Sequence, residues 1–220
     1  TGLAERIFAA LAEKGHDPAS LTPDILAPYD EFHVGGMAAT HRFAGRLALD
    51  PQTHLLDVGC GAGGPARAVA AMIGCKVTGI DLTADFITAG AELTARCGLA
   101  DLVTLQRGSA LEMPFEDAGF PRAMMLHVGM NIADKKGLLA EVARVLAPGG
   151  LFGIYDMMQV ADGAVGFPMP WARSADVSAV ARPDDYIEAG EAAGMKLVVK
   201  HDETEACLLY TSPSPRDLST

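Results

Sequence analysis

A run of glycines between residues 59 and 64 is the part of the sequence best suited to hold a ligand. It lies in the stretch HLLDVGCGAGGPARAVA, residues 54–70, between an apolar segment and an alanine-rich one. The backbone can turn tightly and approach a ligand closely where a Cβ is missing, as at Gly59, Gly61, Gly63 and Gly64. Asp57 places a carboxylate just before this turn, and Cys60 lies within it. The pattern predicts a ligand-binding loop with a negative charge at its base.

Polar or small residues also follow the next three predicted strands. Asp81 comes 24 residues after Asp57, and its carboxylate could accept hydrogen bonds from both hydroxyls of a ribose. Ser109 and Ala110 follow the third strand and could meet the edge of an adenine, while His127 ends the fourth. In an open parallel sheet, ligands bind beyond the carboxyl ends of the strands, so these positions predict a nucleoside-binding cleft.

The same glycines leave two other functions open. Gly59, Gly61 and Gly64 satisfy the GxGxxG pattern of dinucleotide-binding loops, so an NAD-dependent oxidoreductase is one alternative. Asp57 argues against it, because a carboxylate beside the loop repels a doubly charged pyrophosphate but attracts an ammonium or a sulfonium. The second alternative is a protein that binds the nucleoside without turning it over.

The elements that must position these residues alternate between short apolar strands and helix-period segments. We predict strands at residues 54–58, 76–80, 103–107, 122–127, 151–155 and 195–200. This alternation is typical of an α/β fold, here a Rossmann-like, doubly wound sheet of mostly parallel strands with helices on both faces. Thr83 and Asp134 are predicted to cap two of the helices, and Pro183 to begin the last one.

The two ends of the chain differ from this pattern. Residues 1–52 read as helices near 4–14 and 37–49 with the stretch PYDEFHVGG between them. A strand-first nucleotide fold does not need this segment in its core, so we expect a helical lid over the sheet edge. Residues 53–207 are expected to form the nucleoside-binding domain. Residues 208–220 resemble translated sequencing-adaptor sequence, and we expect them to be non-native or disordered.

Charge and cysteine content argue against several classes of partner. The 220 residues include 17 Lys and Arg against 28 Asp and Glu, without a basic cluster, so no nucleic-acid partner is expected. No apolar run approaches the roughly 20 residues of a membrane span, so no membrane partner is expected either. The four cysteines form no CxxC pair, so we expect reduced thiols, a cytoplasmic protein and no bound metal. These cysteines are Cys60, Cys75, Cys97 and Cys207.

Four motifs resemble, in order, those of the class I S-adenosylmethionine-dependent methyltransferases. They are LLDVGCGAGG, VTGIDL, GSALEMPF and RVLAPGGLF, within residues 53–159. The segments DEFHVGG, HVGMNIADK and FPMPWA are similar to bacterial small-molecule members related to the sarcosine and dimethylglycine N-methyltransferases. The resemblance implies S-adenosylmethionine as the cofactor and a small-molecule methyl acceptor, with an amine nitrogen as the atom methylated.

The resemblance also implies roles for residues of the cleft. Asp57 and the loop of residues 59–64 would hold the methionine part of the cofactor, Asp81 the ribose, and Leu82 the adenine face. Ser109 stands where the family often has an acidic residue on the adenine amino group, so this contact is weakened or water-mediated here, while Ala110 can use its backbone. The family's sheet ends in an antiparallel seventh strand. Nothing after residue 201 offers one, so we expect the C-terminal strand to be missing.

Methyl transfer from a sulfonium depends on collinear alignment of nucleophile, methyl carbon and sulfur more than on covalent help. An amine acceptor must first lose its proton, and His127 and His33 are the candidate bases, although either could be an ordinary histidine bonded to backbone. Asn131 could orient the acceptor. Trp171, the single tryptophan, could offer its face to a methylated ammonium or simply anchor its loop. The oligomeric state is left open.

Overall fold

The predicted strands on either side of the glycine loop form one parallel sheet. The structure is a computed structural model that describes residues 2–205, so Cys207 and the expected tail at 208–220 lie outside the described residues. The strands are β1 (His54–Val58), β2 (Lys76–Asp81), β3 (Val103–Arg107), β4 (Phe120–Leu126) and β5 (Leu146–Tyr155). They lie in the order β3-β2-β1-β4-β5, and each neighbouring pair is parallel. The order reverses between β1 and β4, which places the expected ligand edge at the loop after β1.

Helices cover both faces of this sheet, as predicted. The described helices are α1 (Leu3–Glu13), α2 (Pro23–Asp30), α3 (Gly36–Ala44), α4 (Gly64–Ile73), α5 (Ala84–Arg96), α6 (Lys135–Val145) and α7 (Pro183–Ala192). Side chains alternate along a strand, so Leu55 and Met124 pack with α3 and α4, whereas Leu56 and Met125 pack with α6 and α7. Both faces of the central strands are therefore apolar, as a doubly wound sheet requires. None of the described helices combines the length and apolar character needed to cross a bilayer.

The N-terminal helices are present, but part of this segment belongs to the core. Phe43, Ala44 and Leu47 lie in the same buried cluster as Leu55. A further cluster joins α1 and α2 to α5. The expectation that residues 1–52 contribute nothing to the core is therefore wrong. The apolar face of α3 covers strand residues that would otherwise be exposed.

The predicted sixth strand at residues 195–200 is also wrong. This segment has no strand structure, and Leu197, Val198 and Val199 are 49%, 76% and 58% exposed. An apolar run becomes a strand only where a neighbouring backbone pairs with its N–H and C=O groups. No described backbone forms a ladder with residues 195–200, and β5 is the last strand within residues 2–205.

The start of β5 and the end of α3 differ most from the sequence prediction. Strand β5 begins at Leu146 rather than at residue 151, because Phe120 pairs with Leu146 and Arg122 pairs with Leu151. The intervening residues bulge out of the ladder, and Gly149 takes a φ of +74° there. Helix α3 ends at residue 44 rather than near 49.

The predicted helix caps have different outcomes. The Asp134 carboxylate accepts a hydrogen bond from Gly137 N at 2.8 Å and caps α6, as predicted. Pro183 begins α7, also as predicted. Thr83 occupies the N-cap position of α5, but its side chain makes no capping bond; its N–H instead donates to Asp81 Oδ1 at 2.8 Å. Thr83 thus helps to orient a predicted site carboxylate.

A buried arginine on α4 fixes the N-terminal segment against the glycine loop. The Arg67 side chain is fully buried, and its Nη2 donates to Asp30 Oδ2 at 2.6 Å and to Ala62 O at 2.7 Å. Its Nη1 donates to Thr94 Oγ1 at 2.9 Å and to Gly90 O at 3.2 Å. One guanidinium therefore joins the end of α2, the glycine loop and α5.

Replacing this arginine should destabilise the fold far more than breaking an exposed ion pair. Arg67→Met leaves the Asp30 carboxyl buried without its countercharge, which costs about 3 to 5 kcal/mol. The control, Arg182→Ala, removes a pair whose side chains are 48% and 98% exposed and should cost less than about 1 kcal/mol. Urea denaturation measures both. Equal losses in the two variants would contradict the role assigned to Arg67.

Candidate functional site

The glycine loop turns sharply at the carboxyl end of β1 and is held by β2. The N–H groups of Gly59 and Cys60 both donate to Ile80 O, at 2.8 and 3.0 Å. Gly59, Gly61 and Gly63 have φ values of +74°, +54° and +79°, a region that side-chain-bearing residues rarely adopt. The Cys60 side chain is buried, and burial raises the pKa of its thiol. The loop therefore offers backbone groups and no reactive thiolate.

The glycines of this loop face different surroundings. A Cβ at Gly64 would overlap the backbone oxygen of Asp30, and one at Gly59 would overlap the Val128 side chain. A Cβ at Gly61 would meet no atom within 4 Å. Gly59 and Gly64 are thus required by packing, whereas Gly61 faces the open side of the loop, where a ligand can approach.

Asp81 lies beside that open side, as predicted. Its Oδ2 accepts a hydrogen bond from Gly61 N at 2.9 Å, and its Oδ1 accepts one from Thr83 N. The carboxylate is fixed before any ligand arrives, and each oxygen keeps a second lone pair for a hydroxyl group. Leu82, the next residue, is 67% exposed and leaves an apolar surface at the cleft.

Ser109 and Ala110 follow β3 next to Asp81. Gly108 N donates to Asp81 O at 3.0 Å, which brings the two segments together. Ser109 Oγ accepts a hydrogen bond from Leu111 N at 3.1 Å, and both predicted residues are half-buried. Their proposed contact with an adenine edge stays a prediction.

Asp57 lies under the glycine turn and is 1% exposed. Its Oδ2 has no hydrogen-bond partner among the described residues. Burial, then the negative charges of Glu31 and Asp81, raises the pKa of Asp57 to about 8. Keeping an unsatisfied carboxyl buried next to the loop costs folding stability. A cationic ligand group would offset that cost by pairing with the ionised carboxylate.

Glu31 is a site residue that the sequence analysis missed. Its side chain is 2% exposed, its Oε2 accepts a hydrogen bond from Thr40 Oγ1 at 2.8 Å, and its Oε1 has no partner in the described part of the chain. Burial is the main cause that raises the pKa of Glu31 to about 7. The two adjacent acids that open DEFHVGG, Asp30 and Glu31, were the signal in the sequence that could have pointed to this residue. The sequence analysis also did not predict the ion pair of Asp30 with Arg67.

The two candidate bases lie together with a tyrosine. The ring of His33 is 5.8 Å from that of His127 and 6.1 Å from that of Tyr155, measured between ring centroids, and the last two are 5.3 Å apart. Tyr155 was not predicted; its hydroxyl donates to Val34 O at 3.1 Å. The strand ends of β4 and β5 and the N-terminal segment therefore meet at one cluster of rings.

Burial lowers the pKa of both histidines to about 4, so both imidazoles are neutral near pH 7. His33 Nδ1 lies 3.4 Å from Glu31 Oε2, and His33 Nε2 lies 3.1 Å from Gly36 O. His127 takes a φ of +55° directly after β4, an uncommon conformation that directs it out of the strand. Among the described residues, a carboxylate that could stabilise an imidazolium lies beside His33 but not beside His127.

The predicted acceptor residues are placed less centrally. Asn131 is exposed at the end of a short 3₁₀ turn, Gly129–Asn131. Trp171 Nε1 donates to Ser178 Oγ at 3.2 Å. The rings that His33 and His127 contact in the described part of the chain do not include Trp171. Within residues 2–205, no three His, Cys, Asp or Glu side chains are placed to hold a metal ion.

Known sequences similar to this chain include methyltransferases. The profile of a family described as a methyltransferase domain matches residues 56–154. A sterol 24-C-methyltransferase of Eremothecium gossypii is 35% identical over 116 residues, which are 53% of this chain and 31% of that protein. A botryococcene C-methyltransferase of Botryococcus braunii is 36% identical over 129 residues, 59% of this chain and 34% of that protein. The matches thus span about a third of the length of these curated relatives.

Solved structures share the fold. A candidate sarcosine dimethylglycine methyltransferase of Galdieria sulphuraria has a TM-score of 0.50 at 31% identity, over 55% of this chain and 43% of that one. The [4+2]-cyclase SpnF has a TM-score of 0.64 at 24% identity, over 79% of this chain and 73% of that one. The cyclase shows that one fold carries more than one chemistry, so function must be argued from the site.

The different surroundings of Gly61 and Gly64 predict different defects on substitution. Gly61→Ala should cost about 1 to 2 kcal/mol for its positive φ and should weaken S-adenosylhomocysteine binding about tenfold or more, because the methyl enters the open side. Gly64→Ala should mainly unfold the protein, because its methyl meets backbone. Urea denaturation and calorimetric titration separate the two effects. A Gly61→Ala protein that binds like the wild type would contradict the open-side assignment.

The buried charge of Asp57 predicts a pH-dependent stabilisation by Asp57→Asn. The pKa of Asp57 is raised from 3.8 to about 8, so the fold favours the protonated carboxyl. That contribution is complete below pH 4 and is lost as the pH rises to about 8, at up to about 1.4 kcal/mol per unit. Asparagine does not ionise, so the variant's gain over the wild type should grow across this range.

Thermal unfolding of ligand-free protein at several pH values measures this gain. Asp24→Asn, which removes an exposed carboxylate from α2, is the matched control and should show no such growth. A gap between Asp57→Asn and wild type that is the same at pH 5 and pH 8 would show that Asp57 is ionised in the fold throughout.

Proposed function

Since the chain belongs to the class I S-adenosylmethionine-dependent methyltransferases, we propose that it transfers a methyl group from S-adenosylmethionine to a small-molecule acceptor. The family match over residues 56–154 and the parallel sheet confirm the resemblance of the sequence motifs. The observation that carries the proposal is the group of carboxylates around the glycine loop. Asp57, Glu31 and Asp81 place three carboxyl groups where a sulfonium and an ammonium would bind, and a bound cation favours their ionised form.

The cleft fits such a nucleoside in several respects. The unpartnered Asp57 Oδ2 and the open face of Gly61 leave an acceptor and space at the loop. We assign Asp81 to the ribose hydroxyls, Leu82 to the adenine face, and the segment of Ser109 and Ala110 to the adenine edge. S-adenosylmethionine supplies an activated methyl group. The protein then has to align it with the acceptor and exclude water.

We propose an amine nitrogen as the first candidate acceptor atom. A protonated amine cannot attack the methyl carbon, so a neutral base at the cleft would help by accepting its proton. His33 and His127 are neutral near pH 7, because burial lowers the pKa of each to about 4. Glu31 stands beside His33 and can offset the charge that His33 gains with the proton. We keep Asn131 as an acceptor contact. For Trp171, its bond to Ser178 favours the anchoring role.

A carbon acceptor is the second candidate, and the names of the curated relatives favour it. Sterol 24-C-methyltransferases and a botryococcene C-methyltransferase are among the proteins this chain matches. Methylation of an alkene forms a carbocation, which becomes neutral by giving one proton to a base. A neutral histidine suits that step as well, so the same cluster of rings serves either acceptor.

A labelled-methyl assay tests the proposal and separates the candidates. Purified protein is incubated with S-adenosylmethionine carrying a labelled methyl group and with panels of amines, isoprenoid alkenes and phenols. Label on an amine supports the first candidate and label on an alkene the second. Binding of S-adenosylhomocysteine without any transfer would favour a nucleoside-binding protein. Calorimetric binding of NAD in place of S-adenosylhomocysteine would overturn the proposal.

Asp81→Ala should weaken S-adenosylhomocysteine binding by about 1.5 to 3 kcal/mol, the range for hydrogen bonds to a charged group. Asp85→Ala, which removes an exposed acid from the first turn of α5, is the control and should bind like the wild type. Titration calorimetry measures both variants. Unchanged affinity in Asp81→Ala would remove this residue from the ribose.

A further inference from the structure

Two buried carboxyl oxygens at the methionine end of the proposed cofactor site have no hydrogen-bond partner. They are Asp57 Oδ2, under the glycine turn, and Glu31 Oε1, in the chain between α2 and α3. Asp57 is 1% exposed and the Glu31 side chain 2%. A buried acceptor without a donor loses its hydration and gains nothing in return. Two such atoms on neighbouring elements are suited to a ligand group that carries several hydrogen-bond donors.

The Glu31 carboxyl cannot turn away to satisfy itself elsewhere. The preceding residue, Asp30, is fixed by its 2.6 Å ion pair with Arg67, and the other Glu31 oxygen accepts the Thr40 hydroxyl at 2.8 Å. These two attachments hold the free oxygen in place. Arg67 donates no hydrogen bond to either oxygen, because its bonds go to Asp30, to Thr94 and to backbone oxygens. Its charge lowers the pKa of Glu31, but burial raises that pKa by more.

We propose that Glu31 is a cofactor-binding residue, and that Glu31 and Asp57 together hold the α-ammonium group of S-adenosylmethionine. This rests on the proposed function. An ammonium carries three N–H donors and one positive charge, so it can satisfy both orphaned oxygens at once. A sulfonium has no N–H to donate, so it cannot do this. The resemblance of motifs assigned the methionine part to Asp57 and the glycine loop alone.

The arrangement gives the N-terminal segment a direct part in cofactor binding. Asp57 belongs to β1, whereas Glu31 belongs to the segment that also carries His33. A bound ammonium would therefore link the segment to the sheet at its carboxyl edge. The same contact would hold His33 near the proposed acceptor, since its Nδ1 lies 3.4 Å from the Glu31 carboxylate.

The test compares S-adenosylhomocysteine with its deamino analogue, which keeps the nucleoside, thioether and carboxylate but lacks the ammonium. Glu31→Gln keeps the shape and the acceptor for Thr40 but removes the charge. We expect it to weaken S-adenosylhomocysteine binding about 10- to 100-fold and to change binding of the analogue by less than about threefold. Asp24→Asn, an exposed acid of α2, should change neither.

Each other outcome has a definite meaning. Equal weakening of both ligands by Glu31→Gln, or no weakening of either, overturns the role of Glu31. Should Glu31→Gln melt below the assay temperature, Glu31→Asp is measured instead; its shorter carboxylate should show the same selective loss, and an unselective one overturns the proposal. Failure of the wild-type protein to bind S-adenosylhomocysteine overturns the proposed function instead.

Discussion

The buried guanidinium of Arg67 is the contact on which the rest of the cleft depends. It pairs with Asp30 and also donates to the glycine loop and to α5, so it sets the distance between the N-terminal segment and the sheet. Buried ion pairs add little net stability, because desolvation offsets their attraction. Here the Arg67–Asp30 pair fixes the end of α2 and so positions Glu31 and His33, which lie in the chain between α2 and α3.

Positioning these residues brings together carboxyl groups whose ionisation the fold opposes. Burial is the main cause that raises the pKa of Asp57 and of Glu31, and neighbouring carboxylates raise both further, so ionising them costs stability in the ligand-free protein. Sites built for a ligand commonly carry such a cost, since the ligand removes it on binding. A cationic ligand removes this electrostatic cost, whereas the pyrophosphate of a dinucleotide adds to it. The charge of the cleft therefore favours a sulfonium nucleoside over a dinucleotide, although both fit the glycine pattern.

The cleft combines residues of the family match with residues of the N-terminal segment. The family match, residues 56–154, contains Asp57, the glycine loop, Asp81 and His127. It does not contain Glu31 or His33, which the N-terminal segment supplies. We therefore expect the acceptor to be selected where this segment meets the ends of β4 and β5, at the rings of His33, His127 and Tyr155.

The sequence by itself determined the parallel sheet and which residues lie at the edge where a ligand is expected. Strand periodicity and the glycine turn are local properties of the backbone, and connectivity alone brings the ends of parallel strands together, which is why Asp57, Asp81 and His127 could be named in advance. Only the tertiary structure brought Glu31 near enough to raise the pKa of Asp57 and paired Arg67 with Asp30. It also left residues 195–200 without a partner strand among the described residues. These features depend on how segments distant in the chain pack and pair, and residue spacing carries no record of that.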